Sequence, residues 1–188
     1  MNENQIALSL NPLVQFLQKP AEDFTREDLI RYVVAHKIEL INFRYIAEDG
    51  RLKTLTFVMT DKEYLESVLS TGERVDGSSL FSFIEAGSSD LYVVPRYKTA
   101  FVNPFSEIPA LDILCSFYNS NGKPLESAPA YILKKAHTEF KQKTGMVFKC
   151  MGELEYYLIV PKEDEILYPA RDQKGYHESS PFIKFHDF

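Results

Sequence analysis

Basic residues, cysteines and long apolar runs are all scarce in this 188-residue chain, and each scarcity closes off a class of function. Lys and Arg number 21 against 27 Asp and Glu, a formal net charge of −6. No Lys/Arg stripe is present to neutralise phosphates, which argues against nucleic-acid binding. The two cysteines, Cys115 and Cys150, make no CxxC spacing, so a thiolate zinc site has no support. Each lies in an apolar, strand-like run, and both are expected as small buried hydrophobes rather than as a disulfide. No apolar run approaches the length of a membrane span, and Met1-Asn2-Glu3-Asn4-Gln5 lacks the basic start of a secretory leader. A cytoplasmic protein without membrane attachment is the expectation. Internal repeats and low-complexity segments are absent. Ser78 and Ser79 lack an accompanying His/Asp pattern, so they read as structural hydrogen-bonders rather than nucleophiles.

What is present is a regular alternation of elements. Residues 1–24 read as an amino-terminal arm or short helix. Thr25 and Asp28 form a capping pair ahead of a helix whose apolar face is Leu29, Ile30, Val33 and Val34. Ile38 to Ile46 and Leu52 to Met59 read as two strands joined by the turn Glu48-Asp49-Gly50, a hairpin. Thr60-Asp61-Lys62-Glu63 caps a second helix that ends near Gly72. Val75 to Leu80 is turn-like, Leu91 to Val94 a strand, and Pro95, Pro104 and Pro109 punctuate an extended crossing segment. Leu111 to Tyr118 is again strand-like and ends in the turn Asn119-Ser120-Asn121-Gly122. A long helix follows Ser127, with Pro129 in its first turn and Gly145 at its end. The layout is α+β: an amino-terminal arm over 1–24, a small mixed domain over 25–110, and a second domain beginning at 111 and running to 188. His137, among Lys134, Lys135 and Glu139 on the long helix, reads as a solvated histidine. His177 and His186 have no neighbours at metal spacing.

The segment most suggestive of chemistry is Phe148 to Val160, predicted as a strand. Glu153 and Glu155 stand two residues apart in it and so project from one face, with Phe148, Cys150, Leu154, Tyr156 and Leu158 on the other. Paired carboxylates on one strand face repel unless a cation, a basic partner or water relieves them. The residues alone fit either a solvated strand face or half of a divalent-metal site. Asp76, in Asp76-Gly77-Ser78-Ser79, reads from its residues alone as a turn former, because Asp-Gly is a favoured turn dipeptide.

Three segments in order carry a resemblance. Asp76-Gly77-Ser78-Ser79 is followed by Ser89-Asp90, and then by Leu114 to Tyr118 with Gly122-Lys123-Pro124 and the helix from Tyr131. Last comes Gly152-Glu153-Leu154-Glu155-Tyr156-Tyr157. This ordered series resembles the amino-terminal part of glutamine synthetase, from about residue 25 to 160 and more loosely through Lys174-Gly175-Tyr176. The resemblance implies a β-grasp-like domain followed by the first strand-helix-strand portion of a catalytic domain. It implies a ligase that joins ammonia to glutamate with ATP through a γ-glutamyl phosphate, with Mg2+ or Mn2+ as cofactor. It further implies that Glu153 and Glu155 are metal ligands, that Asp76 binds ammonium and removes its proton at a neighbouring subunit's site, and that Asp90 and Tyr176 lie near substrate. Active sites between the subunits of a homo-oligomeric ring are part of the same expectation.

Two local departures accompany the resemblance. The family's Glu-Ser-Asp run is here Ser88-Ser89-Asp90, and its Asp-Pro-Arg at the start of the long helix is Ala128-Pro129-Ala130. The family's remaining metal ligands, nucleotide-binding residues and substrate arginines correspond to positions beyond Phe188, so a polypeptide ending there is expected to be inactive by itself. A related γ-glutamyl-amine ligase acting on a polyamine is one alternative, and a non-catalytic pseudoenzyme or regulatory and assembly module is another.

Overall fold

The computed structural model describes residues 3–85 and 89–155. Contacts divide the chain into two compact units, Met1–Phe148 and Lys149–Phe188.

In the first unit the amino-terminal segment is built into the fold rather than lying off it. Helices α1 (Glu3–Ala7) and α2 (Pro12–Leu17) lead into α3 (Arg26–His36), and Leu13, Val14, Leu17 and Phe24 all join the buried core. The arm expected over 1–24 therefore docks, because its apolar residues complete a core that α3 alone leaves open. Asn11 caps α2 through the Leu13 N–H, and its amide also donates to the Ala100 carbonyl at 2.9 Å, fastening the segment to residues far along the chain. The Thr25/Asp28 pair forms a reciprocal capping box on α3.

Strand β1 (Leu40–Ile46) and strand β2 (Leu52–Val58) make the expected antiparallel hairpin. Helix α4 (Lys62–Thr71) starts at Asp61, whose carboxylate accepts the Tyr64 N–H at 2.7 Å, and ends at Gly72. Glycine is needed at 72: its φ is +73°, and a Cβ there would stand 2.1 Å from the Val93 carbonyl oxygen. A short strand β3 (Glu73–Asp76) and a single helical turn α5 (Gly77–Leu80) follow. After them come β4 (Asp90–Pro95), the two-residue β5 (Phe101–Val102) and β6 (Ala110–Asn119). Helix α6 (Pro129–Thr144) has Pro at its start and the left-handed Gly145 as its cap.

The strands form a sheet in the order β2-β1-β6-β4-β3, with β5 also paired to β6. β6 pairs parallel with β1 and antiparallel with β4 and β5, so it occupies the centre. The sequence pattern places the start of a second domain at residue 111; the pairing instead sets Ala110–Asn119 in the middle of the sheet whose other strands lie in 40–102. Ile41, Phe43, Tyr45, Leu111, Ile113, Cys115, Phe117, Leu91 and Val93 all face the core, packed with Leu29, Val33, Leu65, Val68 and Leu69 of α3 and α4.

The alternate positions on the central strands carry a polar ladder. Asn42 lies opposite both Thr56 and Asp112. The Thr56 hydroxyl donates to Asn42 at 2.8 Å, the Asn42 amide donates to Asp112 at 2.7 Å, and Arg44 closes on the other Asp112 oxygen at 2.5 Å. Asp112 is fully buried, and the Asn103 amide adds a further contact at 3.3 Å. A buried carboxylate survives in such a place only when a cation and hydrogen-bond donors surround it.

Candidate functional site

Asp76 is the last residue of edge strand β3 and the cap of α5 at once. Its carboxylate accepts the Ser78 hydroxyl at 2.7 Å and the Ser78 N–H at 3.0 Å, while the Ser79 hydroxyl donates to the Asp76 carbonyl at 2.7 Å. The Ser78 hydroxyl, then the Ser89 hydroxyl and the Ser78 N–H, hold the Asp76 carboxyl below the usual Asp value. Asp76 is exposed, so the result is an anion that remains ionised while presented to solvent. Asp76 thus caps the turn, as the turn reading of Asp-Gly-Ser-Ser expects, and is exposed.

Gly77 is demanded by space. Its N–H donates to the Ser89 carbonyl at 2.6 Å. A Cβ at Gly77 would stand 2.7 Å from a Leu91 methyl carbon and 2.8 Å from the Ser89 oxygen. The close approach pins the start of α5 to the start of β4, and with it the position of Asp76.

Asp90 is directly opposite Asp76 in the β3–β4 ladder. Facing residues of an antiparallel pair project from the same side, so the two carboxylates share one face at the rim of the sheet. Arg74 lies two positions before Asp76 on that face and pairs with Asp90 at 3.3 Å. The structure thus unites Asp76 with Asp90 and adds Arg74, which sequence reasoning missed. The strand that carries Arg74 is four residues long and charged, and nothing local marks it as a strand before its register with β4 is known.

Glu153 and Glu155 lie in the second unit. Both are exposed, and the described part of the anticipated strand, Phe148 to Glu155, has no regular secondary structure. The strand expected there is corrected over those residues: alternation of apolar and charged side chains does not suffice where no neighbouring strand hydrogen-bonds the backbone, and none among the described residues does so. Cys150 is likewise exposed, against the expectation of burial, whereas Cys115 is buried as expected. Tyr176, His177 and His186 fall outside the described residues. His137 is exposed on α6, as a solvated histidine should be.

Among the described residues no group of three or more His, Cys, Asp or Glu is gathered to hold a metal ion. The donor chemistry of Glu153 and Glu155 nonetheless fits magnesium or manganese, because hard cations take carboxylate oxygens, and magnesium is often held by one or two carboxylates with waters and phosphates. No helix among the described residues is long and apolar enough to cross a membrane.

Comparisons with known proteins agree with this architecture. Residues 37–120 match the glutamine synthetase β-Grasp domain family. Glutamine synthetase of Methanococcus maripaludis is 29% identical over 162 residues, covering 82% of this chain and 36% of the relative. That of Methanococcus voltae is 28% identical over 168 residues, covering 86% and 37%. The chain therefore spans little more than a third of the length of these curated relatives. Among solved structures, Plasmodium falciparum glutamine synthetase superposes with a TM-score of 0.51 at 20% identity, over 64% of this chain and 23% of that one, a likeness of fold. The matched span of 37–120 begins just before β1 and ends with β6, so the whole sheet lies within it. Residues 37–120 thus match the β-grasp domain of glutamine synthetases, and the chain as a whole is similar to members of that family.

Proposed function

We propose that this chain serves as the amino-terminal part of a glutamine synthetase-type ligase that joins ammonia to the γ-carboxylate of glutamate, using ATP. The observation that carries the reading is Asp76: an exposed carboxylate, kept ionised by Ser78 and fixed in place by the Gly77–Ser89 contact. An anion displayed at a sheet rim attracts ammonium, and Arg74 pairs with the neighbouring Asp90, leaving the Asp76 carboxylate as the net negative charge of the cluster. Ammonium has no lone pair until it loses a proton, and a positioned carboxylate can accept that proton so that the freed nitrogen can attack an acyl carbon. Because Asp76 faces outward, the acyl group it serves belongs to another surface. A homo-oligomeric ring, with each site completed by a neighbouring subunit, meets that requirement.

Glu153 and Glu155 are assigned to the divalent metal. Bound magnesium or manganese neutralises charge on the ATP phosphate oxygens, which phosphoryl transfer requires. The contribution of the two glutamates is to supply hard anionic oxygens. Tyr176 remains a proposed substrate neighbour.

The test is an assay of the natural gene product with glutamate, ATP, magnesium and ammonium, following phosphate release. Asp76→Asn should lower kcat by roughly 10²–10⁴-fold, the range for a removed general base. Glu153→Gln should raise the magnesium concentration needed for half-maximal rate. Absence of glutamate- and ammonium-dependent phosphate release by the unaltered protein would overturn the ligase reading. Release supported by a polyamine and not by ammonium would move the substrate to a larger amine. Association with an active glutamine synthetase subunit, without turnover of its own, would identify a regulatory module.

A further inference from the structure

The first unit holds a cavity of about 350 Å³ between the carboxy-terminal ends of β1 and β6 and the first turns of α6. Its volume lies at the small end of the range for ligand sites, roughly 300–1,000 Å³, large enough for a small metabolite and too small for a protein segment of any length. Three cations line it, Arg96, Lys98 and Lys134, and no Asp or Glu does. In a chain with 27 acids and 21 bases, a wall with cations alone runs against the overall composition. None of the three takes part in an ion pair among the described residues.

A second observation points to a missing acceptor. The Arg96 Nε is buried and has no hydrogen-bond partner among the described residues. A guanidinium stays charged at any physiological pH, and a buried N–H of that charge without an acceptor is unfavourable until an oxygen reaches it. The N-cap of α6, Ala128, offers no side-chain acceptor to the helix, and Ala128, Ala130 and Tyr131 line the same cavity, so the positive end of the helix faces in the same sense. Ser116, Tyr118 and Tyr131 add hydroxyl groups to the wall.

We propose that this cavity is a binding site for a small organic anion bearing two negative charges, carried on phosphate or carboxylate oxygens. The site is separate from Asp76 and does not depend on the ligase reading. Its walls come from both the sheet and α6, so an occupant bridges the two and stiffens α6 against the sheet.

The test is isothermal titration of the whole chain with inorganic phosphate and, separately, with succinate, each compared with sodium chloride at matched ionic strength. Saturable binding of phosphate, succinate or both is expected, with chloride giving none, and the arm that saturates identifies the anion's source. Arg96→Gln and Lys134→Gln should each weaken that binding about tenfold or more, the loss expected for one charge-assisted contact. Heats that rise without saturation, or affinities in both variants equal to those of the parent, would overturn the proposal. Circular dichroism checks that Arg96→Gln folds. Should it not, Lys134→Glu decides, because Lys134 is exposed on α6 and reversing its charge should abolish binding while leaving the fold intact.

Discussion

Asp76 and Asp90 face each other across the last pair of the β3–β4 ladder, and the Arg74 guanidinium is the cation that accompanies them. Opposed like charges destabilise a ladder, and Arg74 offsets part of that repulsion. Arg74→Ala should lower stability by at most about 1 kcal/mol, since the pair is exposed to solvent. Asp90→Asn in the same background should recover most of the loss. A urea-denaturation double-mutant cycle measures the coupling, and strict additivity of the two changes would refute it.

The polar ladder at the sheet centre matters far more to stability. Asp112 is fully buried against Arg44 and Asn42. Arg44→Leu should destabilise the fold by about 3–5 kcal/mol, because it strands an anion inside. Replacing both residues, Arg44→Leu with Asp112→Leu, should cost far less than Arg44→Leu alone. Equal losses for the single and double variants would show that the charge pair does not govern the site.

The two thiols should differ in reactivity. Burial pushes the Cys115 thiol upward in pKa, with only a partial opposing influence from Arg96, while Cys150 is exposed. A thiol reagent applied to the native chain should label Cys150 rapidly and Cys115 only after denaturation. Labelling of both at similar rates would contradict the burial of Cys115.

Acid should weaken α4 through its cap. The Tyr64 N–H and then the Thr60 hydroxyl hold the Asp61 carboxyl below its ordinary value. A group with a depressed folded pKa contributes stability above its unfolded value and loses that contribution as pH falls through the folded one. Asn at position 61 would cap comparably without titrating. The Tm advantage of the parent over Asp61→Asn should therefore shrink as pH falls from about 5 to about 2.5, in the window set by the carboxylate values. A difference constant across that range would disprove the linkage. Asp76, lowered by Ser78 and Ser89, contributes in the same sense.

Local signals in the sequence are reliable where local chemistry decides the structure. The Thr25/Asp28 box, the Asp61 cap, Gly72, Gly145 and the turn at Gly50 all mark boundaries through backbone groups that must be satisfied within a few residues. What cannot be read locally depends on partners distant in the chain. Strand β3 is visible only through its register with β4. The docking of Leu13 and Val14 depends on a core assembled from α3 and later strands. Arg44 and Asp112 are separated by 68 positions, and no periodicity links them. The alternation around Glu153 and Glu155 shows the converse case, a strand-like pattern whose described residues pair with no neighbour. For the candidate site, Asp76 and Asp90 are legible as a motif, whereas their facing geometry and Arg74 are not.

The parallel pairing of β1 with β6 also governs when this domain can fold. A ribosome delivers β1 early, yet the strand that must lie beside it begins at Ala110, after every other strand of the sheet has emerged. The β2–β1 hairpin can form first, but its exposed edge waits until β6 inserts between β1 and β4 and unites the two halves. Non-local pairing of this kind slows folding and leaves strand edges open in the interval. A nascent chain released before Asn119 would therefore present two unjoined hairpins, β2–β1 and β3–β4, to chaperones or to other chains.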